Sequence, residues 1–499
     1  MRRVTIAVLA VLLAVLGYAA LDVYDVVPGV LTLAHDPDPS STQQAQQAQQ
    51  AQPVPAPRAT TTVAQPQPQP QLQPQPQPQP QPEAARVGAA LPTSGQQQPV
   101  PTTAGLRTAL AAALADPALA GHLGLTVRDA ATGTHVLDLD ADTPVIPASN
   151  VKVLSAAAVA ATFPPGATLT TTVVQGAAPD QIVLVAGGDT LLAPGAGDPT
   201  AVVGRAGLGD LATATAAALR GQGVGSATVR LDLSYAPGPL LAPTWGTDFR
   251  PLGITGAVAA VGLGTQRVVP GKPGPADPAA AVGTAFVAAL QAAGVKATLA
   301  APGAAPPGAP VLASATSAPV LDQLELALQD SDDALTEALT RQAAYLKNAP
   351  QGFASTGTFV RDTLAGLGID VSGVTLVDGS GLSREDQAPP RVVADVLGLG
   401  LGDRLPAMRS VLRNLAVGGL SGTLSDRFEG GSRGAAGLFR GKTGTLTGVN
   451  ALAGTLVTAD GRLLVVDVIA NSAGPGAGTT AGRAALDRVI AVLASCGCR

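Results

Sequence analysis

The sequence predicts an α/β fold of the α+β type, with one antiparallel sheet flanked by helices and a domain inserted after an early helix. Two stretches near the start, Leu123–Arg128 and Thr134–Leu139, alternate like strands around a turn. Three more, Leu438–Thr445, Asn450–Thr458 and Arg462–Ala470, follow one another near the end. Because helical patterns accompany both groups, we expect the two ends of the chain to build one sheet covered by helices.

Helical periodicity brackets these strands. Gly105–Ala115 places Leu106, Leu110 and Leu114 on one face, and Thr480–Ala494 is expected to form the closing helix. Between the strand groups the composition changes to glycine, proline and alanine.

That change predicts an inserted domain over residues 177–318, with strands at Gln181–Ala186 and Ala227–Leu233. The main domain would then comprise residues 104–176 and 319–499.

The first 34 residues predict a membrane anchor or a signal segment. Arg2 and Arg3 precede the apolar run Val4–Leu21, which is about long enough to cross a bilayer. An uncleaved anchor is favoured over a cleaved signal peptide, whose small-residue cleavage pattern is weak here. Both alternatives place the rest of the protein outside the cytoplasmic membrane.

Residues 35–103 predict a disordered tether rich in proline and glutamine. Gln65–Pro82 largely alternates the two residue types, and such sequence cannot bury a core. Partly polyproline II structure is expected, which would hold the following domain away from the membrane.

Composition excludes several classes of function. The net charge is −5 and only 13% of the 499 residues are charged, which argues against a nucleic-acid-binding protein. The three histidines, His35, His122 and His135, do not lie in metal-binding or triad motifs, and no metal is expected. Two cysteines, Cys496 and Cys498, are too few for structural zinc. In an exported protein they could be oxidised to a disulfide, either with each other or between molecules.

Ser149 and Lys152 are the candidate nucleophile and base. Their spacing puts both side chains on one face of the helix that begins the apolar run Val153–Ala161. Ser149 or the residues just before it would cap this helix. A serine hydroxyl needs a base, and a lysine can act as one where burial or a nearby cation lowers its pKa.

Three motifs occur in order: Ser149-Asn150-Val151-Lys152, Ser331-Asp332-Asp333 and Lys442-Thr443-Gly444. Together they resemble the S-x-x-K, S-x-N and K-T-G motifs of penicillin-binding proteins and serine β-lactamases. The surrounding residues, including Asp378–Arg384 and Gly441–Gly448, are similar to those of S13-type D-alanyl-D-alanine carboxypeptidases, the low-molecular-mass class C penicillin-binding proteins.

The resemblance covers about residues 105–493. It implies a penicillin-binding-protein/β-lactamase-like transpeptidase domain with an inserted domain after the serine helix. It also implies cleavage of D-Ala–D-Ala in peptidoglycan stem peptides, possible endopeptidase activity, covalent inhibition by β-lactam antibiotics, and no cofactor.

The resemblance also implies residue roles. Ser149 would be acylated, Lys152 would accept its proton, and Ser331 would relay a proton to the leaving amine. Lys442 would attract the substrate carboxylate and keep Lys152 partly neutral by like-charge repulsion. The backbone N–H groups of Ser149 and Thr445 would form the oxyanion hole. The residues expected to bind substrate are Asp333, Lys442, Thr443, Gly444 and Thr445.

Two of these motifs also have simpler interpretations. Ser331 alone could cap the helix over Ala334–Leu339. Asp378–Arg384 alone could be a tight surface turn.

Asp333 departs from the family pattern, which has asparagine there. An ionised aspartate beside Lys152 would favour the ammonium form and weaken the base, so we expect slower turnover with acylation retained. The alternative function is a catalytically impaired wall-binding or scaffold homologue. A β-lactamase is a third possibility, but no motif supplies a base for deacylation, and Glu337 is expected to have a structural role.

Overall fold

A computed structural model describes residues 98–471 and 479–498. The helices are α1 (Thr103–Leu114), α2 (Val151–Thr162), α3 (Leu208–Gly221), α4 (Pro278–Ala292), α5 (Val320–Asp330), α6 (Asp333–Leu346), α7 (Phe353–Gly366), α8 (Pro390–Leu401), α9 (Pro406–Arg413) and α10 (Thr479–Ser495). The strands are β1 (His122–Asp129), β2 (His135–Leu139), β3 (Thr170–Gln175), β4 (Gln181–Val185), β5 (Ser226–Asp232), β6 (Lys296–Leu299), β7 (Val311–Thr316), β8 (Ala416–Val417), β9 (Phe439–Leu446), β10 (Val449–Val457) and β11 (Leu463–Asn471).

The first sheet joins the two ends of the described chain, as the sequence predicts. Its order is β2-β1-β11-β10-β9-β8, and every neighbouring pair is antiparallel. Strand β1 pairs with β11 from His122 opposite Asn471 to Asp129 opposite Leu464. This confirms the predicted antiparallel sheet flanked by helices.

Alternation along the strands gives the first sheet two buried faces. Val466 and Val468 of β11 pack with Leu486 and Ile490 of α10 in one core. Val465 of the same strand packs in another core that contains α2. Burial of both faces fixes the register, because a slip of one residue would exchange the two sets of side chains.

Helix α2 is the central helix of the molecule. Every residue from Val151 to Ala160 is buried. A helix apolar around its whole circumference is typical of one enclosed on all sides. The single charge within this buried stretch is Lys152, and it therefore needs polar partners inside the protein.

A second sheet of five strands, in the order β6-β5-β4-β3-β7, follows α2 in the chain. It is mixed, because β4 and β5 as well as β5 and β6 pair in parallel. Strand β3 begins at Thr170, before the boundary at 177 that composition favours. The inserted domain of 177–318 stays a prediction, although β3 belongs to its sheet.

Helices α3 and α4 lie in this region and were not predicted. Their signals are present in the sequence: Leu208, Leu211 and Leu219 recur with helical spacing. Asp277 caps α4 by accepting a bond from the backbone N–H of Ala280, with Pro278 at the first helical position. The alanine-rich and glycine-rich composition concealed both patterns.

Both ends of the described chain meet beside α1. The backbone N–H of Thr102 donates to the carbonyl of Cys498 at 2.7 Å, and Cys496 and Cys498 form a disulfide. Within residues 98–471 and 479–498, no helix is long and apolar enough to cross a membrane. The predicted anchor at 4–21 lies outside the described residues, as does the predicted tether up to residue 97.

Candidate active site

Ser149 lies on a tight turn in front of α2. The turn Ala148–Asn150 is a short 3-10 helix, and Ala148 has a positive φ of 47°. Ser149 itself is half-buried, whereas its neighbours Ala148 and Asn150 are buried. The expectation that Ser149 or a preceding residue caps α2 was wrong, because no side chain makes a capping bond there. The 3-10 turn leads the chain into the helix instead.

Lys152 is fully buried and points back at Ser149. Its Nζ atom lies 3.0 Å from Ser149 Oγ and donates to the carbonyl of Ser380 at 2.8 Å. The same Nζ atom contacts the carboxylate of Asp333. The predicted nucleophile and base are therefore within hydrogen-bonding distance.

Lys442 brings the other two motifs together. Its buried Nζ atom donates to Ser331 Oγ at 2.8 Å and to the carbonyl of Thr443 at 2.8 Å. Ser331 occupies the left-handed region, with φ of 58°, at the junction of α5 and α6. The cap of α6 is Asp332, which accepts from the N–H of Leu335, so the simpler interpretation of Ser331 as a cap was wrong.

Strand β9 carries the third motif past the serine turn. A Cβ atom on Gly444 would lie 2.9 Å from the carbonyl oxygen of Pro147 and 3.3 Å from Ala148 Cβ, so glycine permits this close approach. Thr443 Oγ1 donates to Thr423 Oγ1 at 2.9 Å, while Thr445 is half-buried. The strand therefore forms one wall of a cleft beside Ser149.

Three charged groups determine the electrostatics of this cleft. Burial raises the pKa of Asp333 above its usual value, although the Lys152 ammonium opposes the shift. Burial lowers the pKa of Lys442 well below its usual range, and the positive charge of Lys152 adds to that effect. The arrangement supplies two hydroxyls, two amines and one carboxyl that can exchange protons.

A buried loop behind Lys152 was underestimated from the sequence. Asp378 accepts bonds from the N–H groups of Ser380, Gly381 and Ser383 at 3.0, 2.6 and 2.8 Å, and from Trp245 Nε1 at 2.7 Å. Asp378, Ser380 and Ser383 are fully buried, so the interpretation of 378–384 as a surface turn was wrong. The loop presents the Ser380 carbonyl to Lys152.

Glu337 and Trp245 complete the support of this loop. Glu337 is buried, and its Oε1 accepts the N–H of Gly379 at 2.8 Å. Trp245, the one tryptophan of the chain, stacks edge-on against Phe353 with ring centroids 5.0 Å apart. The signal that could have identified Trp245 is its uniqueness in a chain with only 2% aromatic residues.

The described histidines lie elsewhere. His135 is exposed at the start of β2, with Nδ1 2.6 Å from Asp138 Oδ2, and His122 begins β1. His35 lies outside the described residues. Among the described residues, the basic side-chain partner of Ser149 is therefore Lys152.

Comparison with known proteins shows the family of this chain. The model of the D-Ala-D-Ala carboxypeptidase 3 (S13) family matches residues 106–270 and 247–493. Carboxypeptidase DacB of Mycolicibacterium smegmatis is 39% identical over 410 residues, covering 80% of this chain and 86% of that protein. A carboxypeptidase of Mycobacterium tuberculosis is 36% identical over 406 residues, covering 80% of this chain and 85% of that protein.

The fold has a counterpart among solved structures. Penicillin-binding protein 4 of Haemophilus influenzae matches with a TM-score of 0.59 and 17% identity, covering 74% of this chain and 95% of that one. None of these similarities supports the alternative of an impaired scaffold. The chain belongs to the D-Ala-D-Ala carboxypeptidase 3 (S13) family.

Proposed function

We propose that the protein is a serine-type D-Ala-D-Ala carboxypeptidase that acts on peptidoglycan stem peptides through an acyl-enzyme on Ser149. The supporting observation is the 3.0 Å contact between Oγ of the half-buried Ser149 and the Nζ atom of fully buried Lys152. A nucleophile within hydrogen-bonding distance of its base is the arrangement that covalent hydrolysis requires. Family membership gives the substrate class.

The reaction proceeds in two steps. Ser149 Oγ attacks the carbonyl carbon of the penultimate D-Ala while its proton passes to Lys152. The C–N bond to the terminal D-Ala then breaks as the proton that Lys152 accepted passes through Ser331 to the leaving amine. Water next adds to the ester carbon and gives a proton to Lys152, and as the C–Oγ bond breaks that proton passes to Ser149.

The substrate would lie along the outer edge of β9. Strand β8 pairs with β9 only at Arg440 and Gly441, which leaves the edge beyond Lys442 open to an extended peptide. Lys442 would attract the terminal carboxylate, which Thr443 or Thr445 would hydrogen-bond. The N–H groups of Ser149 and Thr445 would stabilise the oxyanion, at roughly 3 kcal/mol per donor.

Asp333 sets the rate of this chemistry. Its contact with Lys152 holds a carboxyl group where the family pattern has a neutral amide. When Asp333 is ionised it stabilises the lysine as ammonium, and only the neutral amine can accept the serine proton. We therefore expect acylation with reduced turnover.

β-Lactams would acylate the same serine. The structural relative penicillin-binding protein 4 of Haemophilus influenzae has also been solved in complex with a β-lactam. A β-lactamase needs a base that activates water at the acyl carbon, and Glu337 is engaged by the N–H of Gly379 instead. The label is therefore expected to persist.

The substrate places the enzyme outside the cytoplasmic membrane. The apolar run 4–21 would then anchor it, with cleavage of a signal peptide as the alternative. Membrane fractionation of the full-length chain with N-terminal sequencing distinguishes the two, because a cleaved protein begins beyond residue 21.

Two assays test the function. One is covalent labelling by a fluorescent penicillin, and the other is D-Ala release from an acylated L-Lys-D-Ala-D-Ala tripeptide. Persistent label and D-Ala release in the wild type, both lost in Ser149→Ala, support the proposal. Ser495→Ala, on α10 far along the chain, is the matched control and should keep both activities. Rapid loss of label would indicate a β-lactamase, and absence of label with no D-Ala release would indicate a scaffold.

A further inference from the structure

The turn that carries Ser149 has an unfavourable backbone. Ala148, which directly precedes the serine, adopts a left-handed φ of 47° although it has a Cβ atom. Such a conformation persists only where surrounding contacts enforce it. The direction of Ser149 Oγ therefore depends on what fastens the turn on each side.

Two side chains of β11 fasten it. Asn471 exchanges two bonds with the backbone of Ile146: its Oδ1 accepts the N–H at 2.7 Å and its Nδ2 donates to the carbonyl at 3.0 Å. Four residues earlier on the same face of β11, Asp467 Oδ1 accepts from Asn150 Nδ2 at 3.0 Å. The two attachments flank Ser149, one before it and one directly after it.

The hydrogen bond between Asn150 and Asp467 uses one polar atom of each side chain and leaves one oxygen of each side chain without a partner among the described residues. Both side chains are fully buried, and within the described part of the chain Asn150 Oδ1 and Asp467 Oδ2 have no hydrogen-bond partner. An amide oxygen and a carboxylate oxygen are both acceptors and cannot satisfy each other. A single proton on Asp467 Oδ2 would let it donate to Asn150 Oδ1, which would satisfy both atoms.

We propose that Asp467 is protonated in the folded protein and forms with Asn150 a two-bond acid–amide pair that holds the Ser149 turn in its reactive geometry. Asp467 is then a positioning residue for acylation, and this part of the inference rests on the proposed role of Ser149. No bond is made or broken by Asp467 in the reaction itself.

The surroundings of Asp467 agree with a neutral carboxyl. Burial raises its pKa well above the usual range, and the opposing effects of Asn150 and Arg128 are weaker. Arg128 of β1 already contacts Asp395 and donates to the carbonyl of Arg391 at 3.1 Å. Its Nε atom is unpartnered within the described residues, so an ionised Asp467 paired with Arg128 is the competing arrangement.

Exchanging the two groups separates these arrangements. The variants are Asn150→Asp, Asp467→Asn and the double variant, studied as the full-length protein. Aspartate is as good as asparagine at a helix N-terminus, so Asn150→Asp has no local reason to disturb α2. It does place two carboxyl groups in contact, whereas the double variant restores one acid and one amide with their roles exchanged.

The readouts are the second-order rate constant for acylation of Ser149 by fluorescent penicillin and the midpoint of thermal unfolding. We expect Asn150→Asp to acylate at least about tenfold more slowly at neutral pH. A tenfold change in rate corresponds to the same free energy as a shift of one pKa unit. We expect the double variant to return to within about threefold of the wild type, with recovery of the unfolding midpoint.

If the double variant improves on Asn150→Asp in neither readout, Asn150 and Asp467 do not form an acid–amide pair. That result is the one expected if Asp467 is ionised and paired with Arg128. Recovery of the unfolding midpoint without recovery of acylation would overturn the positioning role. A wild type that takes no label at Ser149 would overturn the proposed function and the positioning role together. The unfolding midpoints of the four proteins would still decide whether Asn150 and Asp467 form the acid–amide pair.

Discussion

The carboxylate of Asp333 contacts the Nζ atom of Lys152, and that same atom lies 3.0 Å from the hydroxyl of Ser149. The lysine that should remove the serine proton is thus also the partner of a buried acid. Both groups are almost fully enclosed, so their attraction is screened little by solvent. The ease of acylation depends on how this pair shares its protons.

Asp333→Asn should increase D-Ala release. An asparagine keeps the size of the side chain and can still accept a bond from Lys152, but it cannot stabilise the ammonium by charge. We expect a rise of about tenfold, which corresponds to one pKa unit of interaction. The measurement is the steady-state rate on the tripeptide substrate from about pH 6 to 9.

The matched control for this change is Asp362→Asn on α7, where the aspartate is paired with Arg361 at the surface. It removes the same charge from the whole protein and should leave the rate unchanged. A rate for Asp333→Asn equal to or below that of the wild type would show that the carboxylate does not restrain Lys152.

Arg267 should support Ser331 from outside the catalytic cleft. Its guanidinium donates to Asp330 at 3.0 Å and to Asp332 at 3.0 Å, the two residues on either side of Ser331. Because Ser331 has a left-handed backbone, loss of this bridge should let the serine leave its position beside Lys442. Arg267→Gln should lower turnover several-fold.

A second variant, Arg267→Lys, keeps the charge but cannot bond both carboxylates in the same planar arrangement. We expect it to recover turnover only in part. Separate kcat and KM values provide the check: an effect confined to KM would assign Arg267 to substrate attraction and contradict the positioning role.

Much of the first sheet could be predicted because its signals are local. The glycine at position 461, directly before the strand pattern Arg462–Ala470, is a turn signal that indicates a hairpin without any knowledge of the fold. The structure gives Gly461 a φ of 81°, which glycine adopts readily. The order of the three motifs likewise predicts that Ser149 and Lys442 belong to one site. These inferences require only neighbouring residues and a family pattern.

The support of the site could not be predicted in the same way. Residues 378–384 are short, polar and rich in glycine and serine, which is typical of an exposed turn. Their burial results from contacts with Glu337 and Trp245, which are distant in sequence. The left-handed backbone of Ser331 could not be predicted from nearby residues either. Its neighbours Asp330 and Asp332 are held by Arg267, which is distant in sequence.

Trp245→Phe should loosen the loop behind Lys152. Phenylalanine keeps the packing against Phe353 but removes the bond that Trp245 Nε1 makes to Asp378 at 2.7 Å. Asp378 keeps its bonds from the three backbone N–H groups, so the variant loses one buried hydrogen bond to a carboxyl group, and the free energy of unfolding should fall by about 1–3 kcal/mol. Acylation by penicillin should slow as well, because the Ser380 carbonyl would hold Lys152 less firmly.

Chemical denaturation and stopped-flow labelling measure these two effects. Phe249→Leu, in the same segment and with no polar side-chain atom, is the control for packing alone. A Trp245→Phe protein that is destabilised yet acylates at the wild-type rate would indicate that the loop does not position Lys152.

Glu337 should make the protein less stable as the pH rises. Burial, and then the nearby charge of Asp378, raise its pKa from the usual 4.5 to about 8. Between these values the folded state holds a proton that the unfolded state has released. The stabilisation is therefore complete below about pH 4.5, falls as the pH increases and is lost above about pH 8, with a size on the order of a few kcal/mol.

Glu337→Gln removes this titration but keeps an acceptor for the N–H of Gly379, which the wild-type Oε1 binds at 2.8 Å. The variant should show a flatter dependence of the free energy of unfolding on pH, measured by urea denaturation from about pH 5 to 8. Asp189→Asn is the comparison, because burial raises the pKa of Asp189 only to about 6 and its effect should be confined to the acid side. If the free energy of unfolding depends on pH equally in the wild type and in Glu337→Gln, Glu337 is already ionised in the folded protein. The loop behind Lys152 would then be held by a buried charge.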